Sequence, residues 1–190
     1  MRRVSAILLA AVIAFGVSGC TPGGTDTAAP TSSSEVPTID PALIPQKAPD
    51  SVINVEPAAF KMESGDFVFK VGNGPTWCTI SPDFGLAICE QNEVSTQYAP
   101  IPVPDTCDFS YGYQVELKAT APEDGSPAAF FPCLGSTFTD PTGALTLQDG
   151  QQISASGFTC FVAVDTARCE NKEKHFIVLG PKAWALGQAS

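Results

Sequence analysis

The chain has 190 residues, of which 20 are acidic and 10 are basic, and its formal net charge is −10. An acidic chain without a basic patch argues against nucleic acid as a partner, because phosphate backbones repel it. The chain has one histidine and no two cysteines with the two-residue spacing of zinc sites, which argues against a metal centre. No residue pattern indicates a cofactor.

The amino terminus has the plan of an export signal. Arg2 and Arg3 precede an apolar run over residues 6–17, which at about 12 residues is too short to span a bilayer. Val17, Ser18, Gly19 and Cys20 follow as small residues before a thiol, and this stretch resembles the lipobox of bacterial lipoproteins. The resemblance implies cleavage after residue 19 and a lipid on Cys20. The alternatives are an ordinary secretory signal with a chance cysteine and an uncleaved membrane helix.

A lipid on Cys20 predicts a protein anchored to the extracytoplasmic face of the cell membrane. Two or three acyl chains hold a protein firmly, since each buried methylene contributes about 0.8 kcal/mol. Loss of Arg2 and Arg3 with the signal peptide changes the formal charge from −10 to −12. The membrane is therefore expected to be a partner through the lipid and not through charge.

Composition divides the chain into three parts. Residues 1–19 are the predicted signal peptide. Residues 20–57 are rich in Pro, Ser, Thr and Ala, with too few apolar residues to offset chain entropy, and predict a disordered tether. Residues 58–187 are rich in Phe, Val, Ile, Leu and Cys, and predict one folded domain.

The domain has the pattern of an all-β fold, with short apolar or alternating runs separated by turn residues. In residues 113–119 apolar and polar side chains alternate, as in a strand with one wet face. We expect a small single-domain antiparallel sheet, roll or sandwich with three disulfides, and a turn of helix at 183–186. Strands are predicted at 67–71, 76–80, 86–90, 113–119, 128–132, 145–148, 158–164, 166–170 and 176–179.

Six cysteines remain after Cys20, and an even number in an oxidising compartment predicts three disulfides. They are Cys78, Cys89, Cys107, Cys133, Cys160 and Cys169.

The pairing follows from a weak internal echo between residues 77–90 and 159–170, each a strand, a turn and a strand with a cysteine at both outer ends. A four-residue loop at 82–85 brings Cys78 opposite Cys89, and a tight turn at 164–165 brings Cys160 opposite Cys169. Both counts give close cross-strand pairs that a disulfide can join. Cys107 is then left with Cys133, although six cysteines allow other connectivities.

The cysteine order, the Pro-rich stretch before Cys107 and the ending with Cys169, Asn171, His175 and Phe176 carry a resemblance over residues 67–186. The chain resembles a six-cysteine domain of unknown function that actinobacteria export. In that family glycines flank the histidine, whereas Lys174 and Phe176 do so here. The resemblance implies an envelope location and a fold.

Catalytic constellations are weak in this sequence. A hydrolase of the Ser-His-carboxylate type would have to use His175 as its base, with Ser154 or Ser156 as the nucleophile and Asp165 as the carboxylate, but no GxSxG motif occurs. Two carboxylates about 5 to 10 Å apart would suit a glycosidase, yet among twenty acids some pair is inevitable. No calcium-loop spacing is present. We predict no catalytic residue, and the ligand-binding residues are unknown.

Aromatic side chains allow a sugar-binding interpretation, because flat rings can face a carbohydrate. Packing in the core is the favoured role, especially for a tryptophan beside a disulfide cysteine. The residues concerned are Trp77, Tyr98, Tyr111, Tyr113 and Trp184.

These features favour a lipid-anchored envelope protein that is a non-enzymatic binding or interaction module, with an envelope protein or a wall glycan as partner. The alternative is an enzyme that acts on cell-wall polymers through a carboxylate site. A third hypothesis, a chaperone or scaffold for lipoglycan or lipid export, requires a large apolar cavity in the domain.

Overall fold

The computed structural model describes residues 36–189. The predicted signal peptide, Cys20 and the tether up to residue 35 lie outside the described residues. Within residues 36–189 no helix is long and apolar enough to cross a membrane.

The described chain forms a β-sandwich with three short 3-10 helices, at Pro41–Leu43, Pro57–Phe60 and Glu93–Ser95. The fold is therefore mainly β, as predicted. The strands are β1 (Ile53–Asn54), β2 (Phe67–Val71), β3 (Trp77–Ser81), β4 (Leu86–Glu90), β5 (Gln114–Lys118), β6 (Ala129–Phe130), β7 (Leu145–Leu147), β8 (Gln151–Ala155), β9 (Phe158–Ala163), β10 (Thr166–Asn171), β11 (His175–Leu179) and β12 (Trp184–Gln188).

Two six-stranded sheets make up the sandwich. Sheet A has the order β1-β8-β9-β10-β11-β12, and sheet B has the order β6-β5-β4-β3-β2-β7. Neighbouring strands are antiparallel except at one edge of each sheet, where β1 runs parallel to β8 and β7 runs parallel to β2. The sheets are thus mixed, because those two short edge strands arrive from outside the antiparallel meanders.

The chain order reveals that the domain is built from two matching halves. Strands β2 to β6 form one antiparallel meander, and β8 to β12 form the other. The strand that precedes each meander joins the opposite sheet: β1 pairs with β8, and β7 pairs with β2. This reciprocal exchange interlocks the halves, since each sheet needs a strand from the other half.

The registers of the two halves coincide at the cysteines. Phe69 lies opposite Cys78 as Ile153 lies opposite Cys160, and Cys78 faces Cys89 as Cys160 faces Cys169. The stretch after the second cysteine also matches, with Glu90 and Gln91 in the first half and Glu170 and Asn171 in the second. The two halves therefore share one strand plan and one register around their hairpin disulfides.

The core lies between the sheets, where alternate residues of each strand point inward. At its centre the two hairpin disulfides meet, with 3.9 Å between Cys89 Sγ and Cys169 Sγ. All four of these cysteines are fully buried. The sulfur atoms thus pack as core side chains as well as cross-linking each hairpin.

The predicted disulfide pairing is the one observed. Cys78–Cys89 and Cys160–Cys169 each have 4.0 Å between their Cα atoms, and Cys107–Cys133 has 5.6 Å. The predicted hairpin registers are also confirmed, with Ser81 opposite Leu86. All nine predicted strands are present, and no strand end differs from its predicted position by more than two residues.

Two predictions about chain organisation are corrected. Residues 36–57, assigned to the tether, belong to the folded unit, since the backbone N–H groups of Ile53 and Val55 donate to the carbonyls of Gly150 and Gln152. Backbone pairing at a sheet edge needs no apolar pattern, which is why composition alone misplaced the boundary. The predicted helical turn at 183–186 is wrong, because this segment enters β12 and pairs with β11.

The turns of the two hairpins are built differently. In the first, Gly85 takes a φ of 62°, which costs glycine little. In the second, Val164 and Asp165 take φ values of 51° and 55°, a region that β-branched residues rarely adopt. The carboxylate of Asp149 accepts hydrogen bonds from both of their backbone N–H groups, at 3.0 and 3.2 Å, and thereby holds the turn.

Candidate binding groove

The first half carries one long segment that the second half lacks, and a second long segment leads from the first half into β7. Residues 91–113, here called the connector, join β4 to β5, whereas residues 172–174 suffice between β10 and β11. Residues 131–144, here called the cap, follow β6. The disulfide between Cys107 and Cys133 joins the connector to the cap outside the core. Extra loops on a repeated scaffold are where function is expected.

A groove of about 170 Å³ opens between the connector and the cap, and we call it the stapled groove. On the connector side the groove is bordered by residues up to Tyr113. Gln114, the first residue of β5, forms part of its floor. It is lined by Gln91, Asn92, Glu93, Ser110, Tyr113, Gln114, Leu134, Gly135, Ser136 and Thr137.

Glu90, at the end of β4, fastens the cap to the outer face of sheet B. Its fully buried carboxylate accepts hydrogen bonds from Trp77 Nε1 (3.1 Å), Gln114 Nε2 (2.8 Å) and the backbone N–H groups of Phe138 (2.7 Å) and Thr139 (3.3 Å). Burial raises the pKa of Glu90, and these four donors oppose that rise. The carboxylate therefore has a positioning role beneath the groove.

Gln91 fixes the connector through side-chain hydrogen bonds, as Glu90 fixes the cap. Its side chain donates to Thr96 Oγ1 at 3.0 Å and to Tyr98 Oη at 3.1 Å, and it accepts from Thr76 Oγ1 at 3.0 Å. The Tyr98 hydroxyl in turn donates to the carbonyl of Gly112 at 2.7 Å. Burial raises the pKa of Tyr98 to about 12, so this hydroxyl keeps its proton at neutral pH and ties the first part of the connector to its end at Gly112.

The groove presents apolar and polar groups to solvent. The Phe109 ring is 59% exposed, and it lies so close to Gly135 that a Cβ there would meet it at 3.0 Å. Next to the groove residue Glu93, Val94 is 95% exposed. Burial and the neighbouring Glu93 carboxylate raise the pKa of Tyr113. An exposed ring beside hydrogen-bonding groups is typical of a binding surface.

The charge of the groove is negative. Among the described residues that line it, none is basic and Glu93 is the acidic one. An anionic ligand would find no counter-charge at this site, whereas a neutral ligand with hydroxyl donors would find acceptors.

The structure does not join His175 to the serines considered with it. Ser154 Oγ hydrogen-bonds Thr159 Oγ1 at 3.0 Å, and Asp165 Oδ1 accepts from the backbone N–H of Asn73 at 2.7 Å. His175 Nε2 instead lies 3.9 Å from Glu173 Oε2. Ser156 lies in the β8–β9 turn with a φ of 50°.

Of the five aromatic residues considered for sugar contact, Tyr113 alone lines the stapled groove. Trp77 is buried, but it lies on the opposite face of sheet B from the Cys78 disulfide, because successive strand residues face opposite ways. Phe131 packs against Tyr111 in a tilted arrangement and against Trp184 edge to face, with ring centroids 5.6 and 5.0 Å apart. These rings serve packing.

Three sulfur atoms, those of Cys78, Cys89 and Cys169, lie within 4.8 Å of one another. Each belongs to a disulfide. Metals bind the thiolate form of cysteine, so this group offers no ligand set while the disulfides are formed.

Apart from Tyr113, which was considered for sugar contact, the residues that line the groove were not identified from the sequence. Its floor depends on Glu90 and Gln114, which meet only because β4 pairs with β5. One signal was present: residues 89–93 read CEQNE and residues 169–173 read CENKE, after which the first stretch continues into the connector and the second enters the next strand.

The chain matches no protein-family model, no curated protein and no solved structure.

Proposed function

We propose that this chain is a lipid-anchored, extracytoplasmic envelope protein that acts as a non-enzymatic binding module. It binds a component of the envelope through the stapled groove. The lipid on Cys20 holds it at the membrane, and the sandwich presents the groove.

Two features support the envelope location. The stretch from Val17 to Cys20 resembles a lipobox, and it follows an apolar segment of the length of a signal peptide. The three disulfides fit an oxidising compartment, because thiols stay reduced in most cytoplasms.

The observation that carries the binding role is the difference between the two halves. Both halves build the same meander around a buried disulfide, and residues 172–174 suffice where the first half has the connector, so the fold does not need the connector. A separate disulfide, Cys107–Cys133, fixes this extra segment to the cap, which joins β6 to β7, and the two segments border a groove. The exposed Phe109 next to it supplies the apolar contact that a binding site uses.

The chemistry of the groove favours binding over hydrolysis. A glycosidase needs one carboxyl group free to give a proton and another free to attack or activate water. The two oxygens of Glu90 are already occupied by four donors. Glu93 is then the acidic side chain that the groove offers to a ligand.

Cross-linking in cells tests this function. The native lipoprotein is cross-linked in the envelope, and captured proteins and glycans are identified by mass spectrometry. We expect one dominant partner. A Cys20→Ala form is the matched control, and it should lose the partner because it no longer stays at the membrane.

Two results would contradict the proposal. Capture that is equal in the Cys20→Ala form would show that membrane attachment is irrelevant. Products released from purified envelope polymers by the protein alone would establish the enzymatic alternative.

A further inference from the structure

Resting on the proposed function, we propose that the stapled groove recognises one neutral sugar ring of an envelope glycan. The sugar ring would lie between Tyr113 and the cap, with Phe109 beside it. Its hydroxyl groups would point toward Gln114.

The hydrogen-bonding groups of the groove are arranged for a ligand that donates. Gln114 uses its side-chain N–H groups on Glu90 Oε1 (2.8 Å) and on the Ser136 carbonyl (3.1 Å). No described residue donates to its Oε1, which is therefore available as an acceptor. Glu93 adds an exposed carboxylate. Neighbouring sugar hydroxyls are donors that suit two such acceptors.

Glu90 gives this arrangement its rigidity. By accepting from Gln114 Nε2, it fixes which end of the Gln114 amide faces the groove. By accepting from the Phe138 and Thr139 backbone, it fixes the cap. A preorganised acceptor loses little entropy on binding, which matters for weak ligands such as single sugars.

Aromatic side chains supply the apolar part of the contact. Tyr113 lines the groove and Phe109 is exposed beside it. The C–H face of a sugar ring is apolar, so it packs on an aromatic face while its hydroxyls bond elsewhere.

Other ligand classes fit less well. A phosphate-bearing polymer would meet the Glu93 carboxylate and no basic residue among those that line the groove. An extended peptide often binds by adding a strand to a sheet edge, but β4 and β5 already have partners on both sides. The volume of 170 Å³ lies below the roughly 300 Å³ of sites for drug-sized ligands, which suits one ring.

The test is a titration of the lipidated protein in detergent with neutral sugars, namely glucose, galactose, mannose and arabinose and their short oligomers. Saturation-transfer NMR detects the bound ligand and gives its affinity. We expect at least one of these sugars to bind, and its phosphorylated form to bind more weakly. Glu93→Gln should weaken binding by about tenfold, since it removes a charged acceptor.

Phe109→Ala should weaken the same binding by several-fold, about three- to tenfold. Leu145→Ala, which removes another exposed apolar side chain, is the matched control and should leave binding unchanged. Glu93 and Phe109 are both exposed, so their replacement should preserve the fold, as urea unfolding of each variant will check.

The outcomes separate this inference from the function on which it rests. Failure of all neutral sugars to bind, together with a protein captured in cells, would overturn the sugar inference and leave the binding module intact. Sugar binding that Glu93→Gln and Phe109→Ala leave unchanged would also overturn it, because the sugar would then lie elsewhere. Neither sugar binding nor capture would overturn both proposals.

Discussion

The two halves of the sandwich share a register, a buried hairpin disulfide and a glutamate after the second cysteine, yet they place that glutamate in opposite surroundings. Glu90 is fully buried and accepts from four neutral donors. Glu170 is 23% exposed and pairs with Arg168 Nε at 2.8 Å and Lys174 Nζ at 4.0 Å. The same position in the two halves thus has two roles: in the first half the glutamate fixes the cap, and in the second half it forms an ion pair.

The outer faces of the two sheets differ in the same way as the two glutamates. Over sheet B, the cap is fixed by Glu90. Over sheet A, buried Arg168 stacks on the Phe176 ring, with 3.7 Å from its guanidinium carbon to the ring centre, and donates to the carbonyl of Pro45 at 3.1 Å. Each sheet is therefore covered on its outer side, but only the cover of sheet B, cross-linked through Cys107 and Cys133, encloses the stapled groove.

The largest effect is expected from the disulfides. Replacing Cys78 and Cys89 together by alanine should lower the free energy of unfolding by about 4 to 5 kcal/mol, because it removes a cross-link and two buried sulfur atoms. Replacing Cys107 and Cys133 should cost about 3 kcal/mol, since this disulfide lies outside the core. Urea unfolding measures both free energies. A greater loss of stability on replacing Cys107 and Cys133 than on replacing Cys78 and Cys89 would contradict the view that the hairpin disulfide stabilises the core and the other joins two loops.

The two glutamates give the next effect. Glu90→Gln should cost about 2 to 4 kcal/mol, because its new amide group faces groups that only donate. Glu170→Gln should cost less, about 1 kcal/mol, since Glu170 is partly exposed and the oxygen of the new amide can still accept from Arg168 Nε. Equal losses in thermal or urea unfolding would mean that the two positions do not differ as described.

The buried glutamate also predicts a dependence on pH. Burial raises the pKa of Glu90 above its ordinary 4.5, so the folded protein holds this proton more tightly than the unfolded chain does. The resulting stabilisation is fully present below pH 4.5 and is lost as the pH rises through the folded-state pKa. The gap in stability between the native chain and Glu90→Gln should therefore narrow as the pH rises, and a gap that widens would contradict this.

The smallest effect concerns the hairpin turns. Val164 is 82% exposed and has a positive φ, so Val164→Asn should raise the free energy of unfolding by about 0.5 to 1 kcal/mol. Gly85→Val in the other hairpin should lower it by about 1 to 2 kcal/mol for the same reason. Thermal unfolding of both variants is the check, and a destabilised Val164→Asn would show that the valine makes an essential contact.

Much of the scaffold was predictable because its signals are local. Alternation in 113–119 and the short loops at 82–85 and 164–165 determine strand faces and register, and the register determines two disulfides. Strand β8 was missed because Ile153 is its one buried residue, and β1 because it has two exposed residues. Strand β12 begins with Trp-Ala-Leu, a sequence that also suits a helix. Its extended conformation is determined by pairing with β11, which the local sequence does not show.

The groove was not predictable because its residues come from separate parts of the chain. Glu93 and Phe109 lie in the connector, Gln114 begins β5, and Ser136 lies in the cap. Their proximity depends on long-range strand pairing and on one disulfide between loops. Nothing in the periodicity of any single segment indicates it.

The most direct test of the binding role compares the two halves in cells. A photo-reactive amino acid is placed at Phe109, beside the stapled groove, or at Val164, a turn position of the second half that is more exposed than Phe109, and the lipidated protein is irradiated in the envelope. The binding account predicts a discrete cross-linked product from position 109 and none from position 164. Products of equal yield from both positions, or from position 164 alone, would contradict it.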